Sequence, residues 1–357
     1  MNNLAAETEL KGLREQILAA STAGKKLAIC GGNTKADIYP AAIAEQNHDV
    51  DALPVPYRGI VSYQASELVL TARAGTKLTE LDAALAEKKQ QLGFEPPKLG
   101  ANATIGGTVS AALSGSARPY QGSIRDAVLG VKLLTGDGHV VRFGGEVMKN
   151  VAGYDVSRLV VGSMGSLALL LEVSLRVTPI ASAETFLALE CDENEAFQQM
   201  ALLGNQSLPI SGLAFADNAL HVRLSGSQIA VTQAVQTLSG YRVEEHQFWQ
   251  DLNEQRLAFF DQPGNLWRVT LPFHYPTESD DENTRIWDWG GGLCWLKSAE
   301  NPQEITERAR QLGGDAQLFK GDRKGVATPK SDAIEKIRER LRAVFDPHHV
   351  FVRRGCW

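Results

Sequence analysis

Apolar positions recur along the chain with two different periods, and their order predicts a mixed first half. Leu10, Leu13, Ile17 and Leu18 repeat at helical spacing near the N-terminus. Lys26 to Cys30 reads as a short strand running into the turn GGNTK. Glu67 to Ala74 (ELVLTARA) alternates as a strand does. Leu78, Leu81 and Leu85 then predict a helix over Leu78 to Leu92, which Pro96 and Pro97 stop. Val128 to Leu134 and His139 to Phe143 are two strands joined by TGDG, a strong hairpin signal. Ser166 to Val177 is a last apolar strand before Pro179.

Beyond Pro179 a strand–helix rhythm takes over. Strands are expected at Thr185 to Glu190, Leu266 to Leu271, Ala316 to Phe319 and within Trp287 to Lys297. Gly212 to Phe215 and Leu220 to Leu224 form a hairpin across Asp217-Asn218. Helices are expected at Glu193 to Leu203, Gln228 to Leu238 and Pro302 to Leu312. Thr277 to Asn283 reads as an acidic loop. Ser331 to Phe345 is amphipathic, with Ile334, Ile337, Leu341 and Val344 on one face. The rhythm resembles a half-barrel or a doubled ferredoxin-like layer.

At 357 residues the chain is long enough for two domains and a sizeable core. A net charge of -6 without a basic run argues against nucleic acid as a partner. No apolar run is long enough to span a bilayer, and the N-terminus lacks the pattern of a signal peptide. The expected location is the cytoplasm, with any membrane association made through a partner. Cys30, Cys191, Cys294 and Cys356 are far apart and form no C-x-x-C, so neither an iron–sulfur cluster nor structural zinc is expected. No metal site is expected either. Electrons leaving this protein would pass to another chain.

The candidate chemistry lies in small-residue loops, where backbone N–H groups can approach a ligand. Their spacing is neither G-x-G-x-x-G nor the P-loop pattern. Gly31, Gly32, Asn33, Thr34 and Lys35 follow a strand, as a pyrophosphate nest or as an ordinary tight turn. ATIGGTVS (Ala103 to Ser110) is a second such loop, or a helix start packed close to a sheet. YQGSIRD offers Arg125, held by Asp126, or a surface pair of little energy. GSMGS (Gly162 to Ser166) receives a base or ribose, or is a plain loop. Lys149, Asn150, Tyr154 and Asp155 anchor the flanking domains or form a structural turn. The tryptophans of the second half (Trp249, Trp267, Trp287, Trp289, Trp295) read as core before they read as ligand contacts.

In this order, the four loop segments resemble the FAD-binding domain of the vanillyl-alcohol oxidase and p-cresol methylhydroxylase family over about Lys26 to Pro179. GGEVMKNVAGYDVSRLVVGS, PISGLAFADNALHVRL and the Trp287-Asp288-Trp289-Gly290-Gly291 block narrow the likeness to the FAD-binding subunits of bacterial three-subunit glycolate oxidases. The resemblance implies that Gly31 to Lys35 hold the FAD pyrophosphate. It lays Pro97 and the second loop, including Ala103, Thr104, Ile105, Gly106, Gly107 and Ser110, along flavin and diphosphate. Gly122, Ser123 and Arg125 continue that wall. Ser163, Gly165, Ser166, Leu167 and Leu170 approach the adenosine end.

Three departures from the family pattern bear on function. Asn33 stands where some relatives attach flavin to a histidine, so FAD is expected to be non-covalent. Ala168 replaces a glycine of the family's G-x-L-G, which narrows the approach to the adenosine end. The H-x-G-D-G-N-x-H stretch of substrate-oxidising relatives is missing, and the adjacent His348 and His349 point apart in an extended chain. The family's C-terminal D-P-x-x-x-F-N-P-G reads here as FDPHHVF followed by Val352-Arg353-Arg354.

The expected fold is therefore α+β, in two domains. Residues 1–180 form a p-cresol methylhydroxylase-type FAD-binding domain and 181–325 a smaller ferredoxin-like domain. Residues 326–357 form a C-terminal helix and tail returning to the first domain. The resemblance implies an FAD-carrying subunit of a complex that oxidises glycolate to glyoxylate, with an electron-transfer or structural role. Its implied partners are a paralogous FAD-binding catalytic subunit and an iron–sulfur subunit. No catalytic residue is assigned. Two further readings stand beside it: a stand-alone FAD-dependent 2-hydroxy acid dehydrogenase, and a scaffold that has lost FAD.

Overall fold

A computed structural model of the chain describes residues 3–38, 50–145, 155–272, 285–322 and 332–354. The chain gathers into two compact units. One comprises Met1–Leu113, Ser123–Pro179 and Pro329–Trp357; the other comprises Ser114–Gly122 and Ile180–Thr328.

The first unit opens with helix α1 (Asn3–Ala23), strands β1 (Lys26–Cys30), β2 (Val50–Pro54), β3 (Ile60–Gln64) and β4 (Val69–Arg73), helix α2 (Leu78–Ala86), the two-residue strand β5 (Gln90–Gln91) and helix α3 (Ile105–Ala111). After α4 (Arg118–Gln121), which belongs to the second unit, it resumes with α5 (Ile124–Ala127), β6 (Val128–Leu134), β7 (Val140–Gly144), α6 (Val156–Leu159), β8 (Leu169–Arg176) and β9 (Thr178–Pro179). An antiparallel sheet in the order β3-β4-β8-β6-β7 carries the main core. β4 and most of β8 are buried at successive positions, which is why they read as apolar runs.

α1 turns Ala6, Leu13, Ile17 and Ala20 inward over the parallel pair β1–β2, while Leu18 stays outside. The helix read as Leu78 to Leu92 ends at Ala86. Lys89 takes φ +54° and turns the chain into β5, which pairs with β9. Leu92, the last residue of the expected helix, reaches the core instead from the segment after β5, as does Phe94.

The second unit continues with β10 (Ala183–Glu190), α7 (Glu193–Gly204), β11 (Ile210–Ala216), β12 (Ala219–Gly226), α8 (Gln228–Thr237), β13 (Arg242–Glu244), α9 (Gln247–Asn253), α10 (Ala258–Asp261), β14 (Asn265–Thr270), β15 (Arg285–Asp288), β16 (Leu293–Ser298), α11 (Pro302–Gln311) and β17 (Asp315–Lys320). One eight-stranded sheet runs β13-β10-β12-β11-β15-β16-β14-β17. The strands of each half follow the order of a ferredoxin-like layer, and the two halves meet where β11 pairs with β15. The span Trp287 to Lys297, read as holding one strand, holds parts of two. The 3₁₀ turn Trp289–Gly291 separates them, with Gly290 at φ +63°.

Ser114–Gly122 joins this unit through side chains of the Trp287–Gly291 block. Ser116 Oγ donates to Asp288 Oδ2 (2.9 Å), and Trp289 Nε1 donates to the Gly115 carbonyl (3.0 Å). All five tryptophans of this half are buried. Glu193 holds Arg285 through both carboxylate oxygens and accepts from Trp287 Nε1, so the buried ion pair is compensated.

The last helix, α12 (Asp332–Phe345), returns to the first unit. Its period is as read, but Ile334, Ile337 and Val344 are exposed. Arg342 and Phe345 turn inward instead. The acidic stretch Thr277 to Asn283 lies outside the described residues, as do Lys149, Asn150 and Tyr154.

Candidate functional site

The strand β1 delivers its C-terminal end directly into GGNTK. At that point the two glycine loops press against each other. A methyl on Gly32 would lie 1.5 Å from the Asn102 carbonyl oxygen, and one on Gly31 would lie 2.6 Å from Thr104 Oγ1. Asn33 takes φ +57°, a left-handed conformation that asparagine tolerates better than most residues. Thr34 Oγ1 donates to the Lys98 carbonyl (2.9 Å), and Lys35 Nζ reaches the same oxygen (3.3 Å). These bonds tie the far end of the loop to the segment after Pro96-Pro97.

The fate of the backbone amides separates the two loops. Thr104 caps α3, its Oγ1 accepting from the Gly107 amide (3.2 Å). The Ile105 amide donates to the Thr76 carbonyl, that of Gly106 to Ala74 and that of Thr108 to Thr104. The first turn of α3 thus spends its donors inside the protein. Among the described residues, no protein acceptor takes the amides of Gly31, Gly32, Asn33 or Thr34. Successive free donors on a turn with a left-handed residue make a concave anion site.

These segments line one cleft. Gly31 to Lys35, Thr104, Gly106, Gly107, Ser110, Gly165 and Leu170 are all on its wall. Ala103, Ile105, Ser166 and Leu167 lie beside it in the same loops without lining it. Ser163 is buried, and its amide donates to the Val160 carbonyl. Pro97 is not on the wall. Neither are Ser123 and Arg125. Asp126 accepts from the Ser123 amide and hydroxyl as a capping box, and Arg125 Nε donates to the Arg158 carbonyl (3.2 Å). Gly122 belongs to the second unit. Asp155 caps α6, and hydrogen bonds from the Ser157 side chain and the Arg158 amide hold its carboxyl below the usual range.

Other residues complete the wall of the cleft. Ile29 and Cys30 precede the first loop, Val55 and Ala74 come from the neighbouring strand ends, and Met164 sits inside GSMGS. The sequence signal for Met164 was present in the motif itself. Arg354 arrives from the C-terminal end. Ala168 contributes its methyl to the wall, beside Leu169 and Leu170.

Among the described residues, Lys35 and Arg354 are the charged ones on this wall, and none is a carboxylate or a histidine. The donor set suits an extended anion with apolar ends. Free amides and two cations would meet a diphosphate, while Ile29, Val55, Met164 and Leu170 would meet rings. FAD has that composition, and the residues present fit it.

The comparisons agree. A family model described as an FAD binding domain matches residues 13–144. The glycolate oxidase subunit GlcE of Escherichia coli (strain K12) is 44% identical over 341 residues, covering 96% of this chain and 95% of that protein. The glycolate oxidase subunit GlcD of Bacillus subtilis (strain 168) is 34% identical over 122 residues, 34% of this chain and 26% of that protein. Among solved structures, an alkyldihydroxyacetonephosphate synthase superposes with a TM-score of 0.67 at 14% identity, covering 95% of this chain and 73% of that one. That likeness shows the p-cresol methylhydroxylase-type fold. No helix among the described residues is long and apolar enough to cross a membrane.

Proposed function

The chain belongs to the family of the glycolate oxidase subunit GlcE, and from that premise we propose that it is the non-covalent FAD-carrying subunit of a glycolate-oxidising complex. The observation that carries the reading is the cleft: four amides without a protein acceptor and two cations, with no carboxylate among the described residues of the wall. Bound FAD supplies a redox group that can take up electrons from one partner and pass them to another.

This chain's residues hold and orient that group. Gly31 to Thr34 donate to the diphosphate and Lys35 neutralises it. Gly107 and Ser110 flank it, and Gly165 to Leu170 support the adenosine end. Asn33 gives the flavin no nucleophile for attachment.

Among the described residues, the same wall offers no histidine or carboxylate to take the proton from a 2-hydroxy acid. We assign glycolate oxidation to a paralogous FAD-binding partner. The present subunit then carries electrons or organises the assembly, and an iron–sulfur partner accepts the electrons. Any association with the inner membrane runs through that complex.

Acid precipitation of the purified protein tests the cofactor half of this reading. FAD is expected in the supernatant. Flavin retained in the pellet would contradict non-covalent binding, and flavin in neither fraction would favour a scaffold.

A further inference from the structure

The C-terminal end is built into the first unit by an array of main-chain bonds. Phe351 forms a parallel bridge with Leu27 of β1. The Leu27 amide donates to the Val350 carbonyl (2.7 Å), and the Val352 amide donates to the Leu27 carbonyl (3.0 Å). Asp346, fully buried, accepts from the amides of Val350 (2.7 Å) and Phe351 (2.9 Å). Arg342 closes the turn by donating to the Phe351 carbonyl. Three residues beyond Phe351, the Arg354 amide donates to Ser166 Oγ (3.1 Å). The segment is therefore an added strand beside β1, whose other end runs into Gly31.

The two arginines of this strand have different fates. Arg353 pairs with Glu339 of α12. Arg354 is half-buried on the wall of the cleft, and its guanidinium pairs with no side chain among the described residues. The other cation of the wall, Lys35, already reaches Thr34 Oγ1 (3.5 Å) and the Lys98 carbonyl (3.3 Å). A guanidinium is a planar fork that matches phosphate oxygens two at a time.

We propose that Arg354 is an FAD-binding residue of this subunit, supplied by the C-terminal strand and directed at the cofactor's diphosphate. The proposal rests on the FAD reading above. It gives Val352-Arg353-Arg354 a role that the expected Asn-Pro-Gly could not perform, since that tripeptide carries no cation.

The experiment uses the full chain freed of flavin by dialysis. FAD and riboflavin are titrated separately at low and high salt, with quenching of flavin fluorescence as the readout. Riboflavin has the same ring but no phosphate. Arg354→Gln is expected to weaken FAD roughly ten- to a hundredfold, the scale of a lost charge-assisted hydrogen bond. It should leave riboflavin unchanged and flatten the salt dependence of FAD binding. Arg354→Lys should fall between the two, and carries the test should the glutamine variant fail to fold. The apo-protein melting temperature should be unaltered, because only the backbone of Arg354 bonds to Ser166.

Equal FAD affinity in wild type and both variants would overturn the role of Arg354 while leaving FAD binding intact. Parallel losses for FAD and riboflavin would also overturn it, in favour of a structural effect. A wild-type chain that binds neither flavin would overturn the FAD reading and this inference together.

Discussion

Single atoms decide much of the cleft. Gly32 has no room for a side chain, because the Asn102 carbonyl occupies the place of its Cβ. Gly32→Ala should separate the two loops, at a cost of about 1–3 kcal/mol of stability. It should also lower the flavin-to-protein absorbance ratio of the purified protein. Gly12 is the control: it lies within α1, where an added methyl meets nothing within 4 Å. Gly12→Ala should raise the melting temperature, by up to about 1 kcal/mol of helix propensity, without altering flavin content.

Asp251 gives a pH test of similar size. Hydrogen bonds from Gln247 (2.8 Å) and from Arg256 (2.7 Å) hold its carboxyl below the ordinary carboxylate range. Its contribution is complete above the unfolded-state value and is lost as pH falls through the lower folded-state value. Asp251→Asn should therefore cost under about 1 kcal/mol at pH 7. Thermal melts should show that cost vanishing in acid below the ordinary carboxylate range.

At this scale the sequence was informative where donors are consecutive. GGNTK could be read because a strand runs straight into it. It could not show that α3 consumes its own amides, since the acceptors on Ala74 and Thr76 come from another element. Nor could it place Arg354, which reaches the cleft only because residues 350–352 pair with β1.

Elements were legible where local chemistry sets them. Asp217 and Asn218 both take left-handed φ (52° and 57°) in the β11–β12 turn, as a two-residue hairpin between twisted strands requires. Asn218→Val should cost about 1–2 kcal/mol in a denaturant melt, because a β-branched residue resists that conformation. α12 shows the opposite case. Its 3.6-residue period was evident, but the period does not say which stripe packs. The stripe is set by Asp346, Arg342 and Phe351, which draw Arg342 and Phe345 inward and leave Ile337 and Val344 outside.

Burial pushes the Asp346 carboxyl up, against the pull of the Phe351 and Val350 amides and of Arg342. Asp346→Ala would leave those amides buried without an acceptor. It should cost about 3 kcal/mol in a melt and loosen the C-terminal strand. Because that strand carries Arg354, flavin affinity should fall with it.

On the scale of the whole molecule, the glycine loops and the later strand–helix rhythm marked two different architectures. The alternation predicted ferredoxin-like layers but could not order the strands. Pairing of β11 with β15, which makes one sheet of two halves, depends on contacts far apart in sequence. The excursion of Ser114–Gly122 into the second unit is illegible for the same reason, since it is fixed by Asp288 and Trp289. The site shares this logic: its amides come from one loop, its framework from another, and one cation from the chain's far end.

In the proposed function this subunit holds FAD and leaves glycolate oxidation to a partner. The most direct measurement is the visible absorption spectrum of the isolated chain, before and after anaerobic addition of glycolate. An oxidised-flavin spectrum that glycolate does not bleach is expected. Bleaching at a rate comparable with turnover would contradict it, and would make this chain the catalyst.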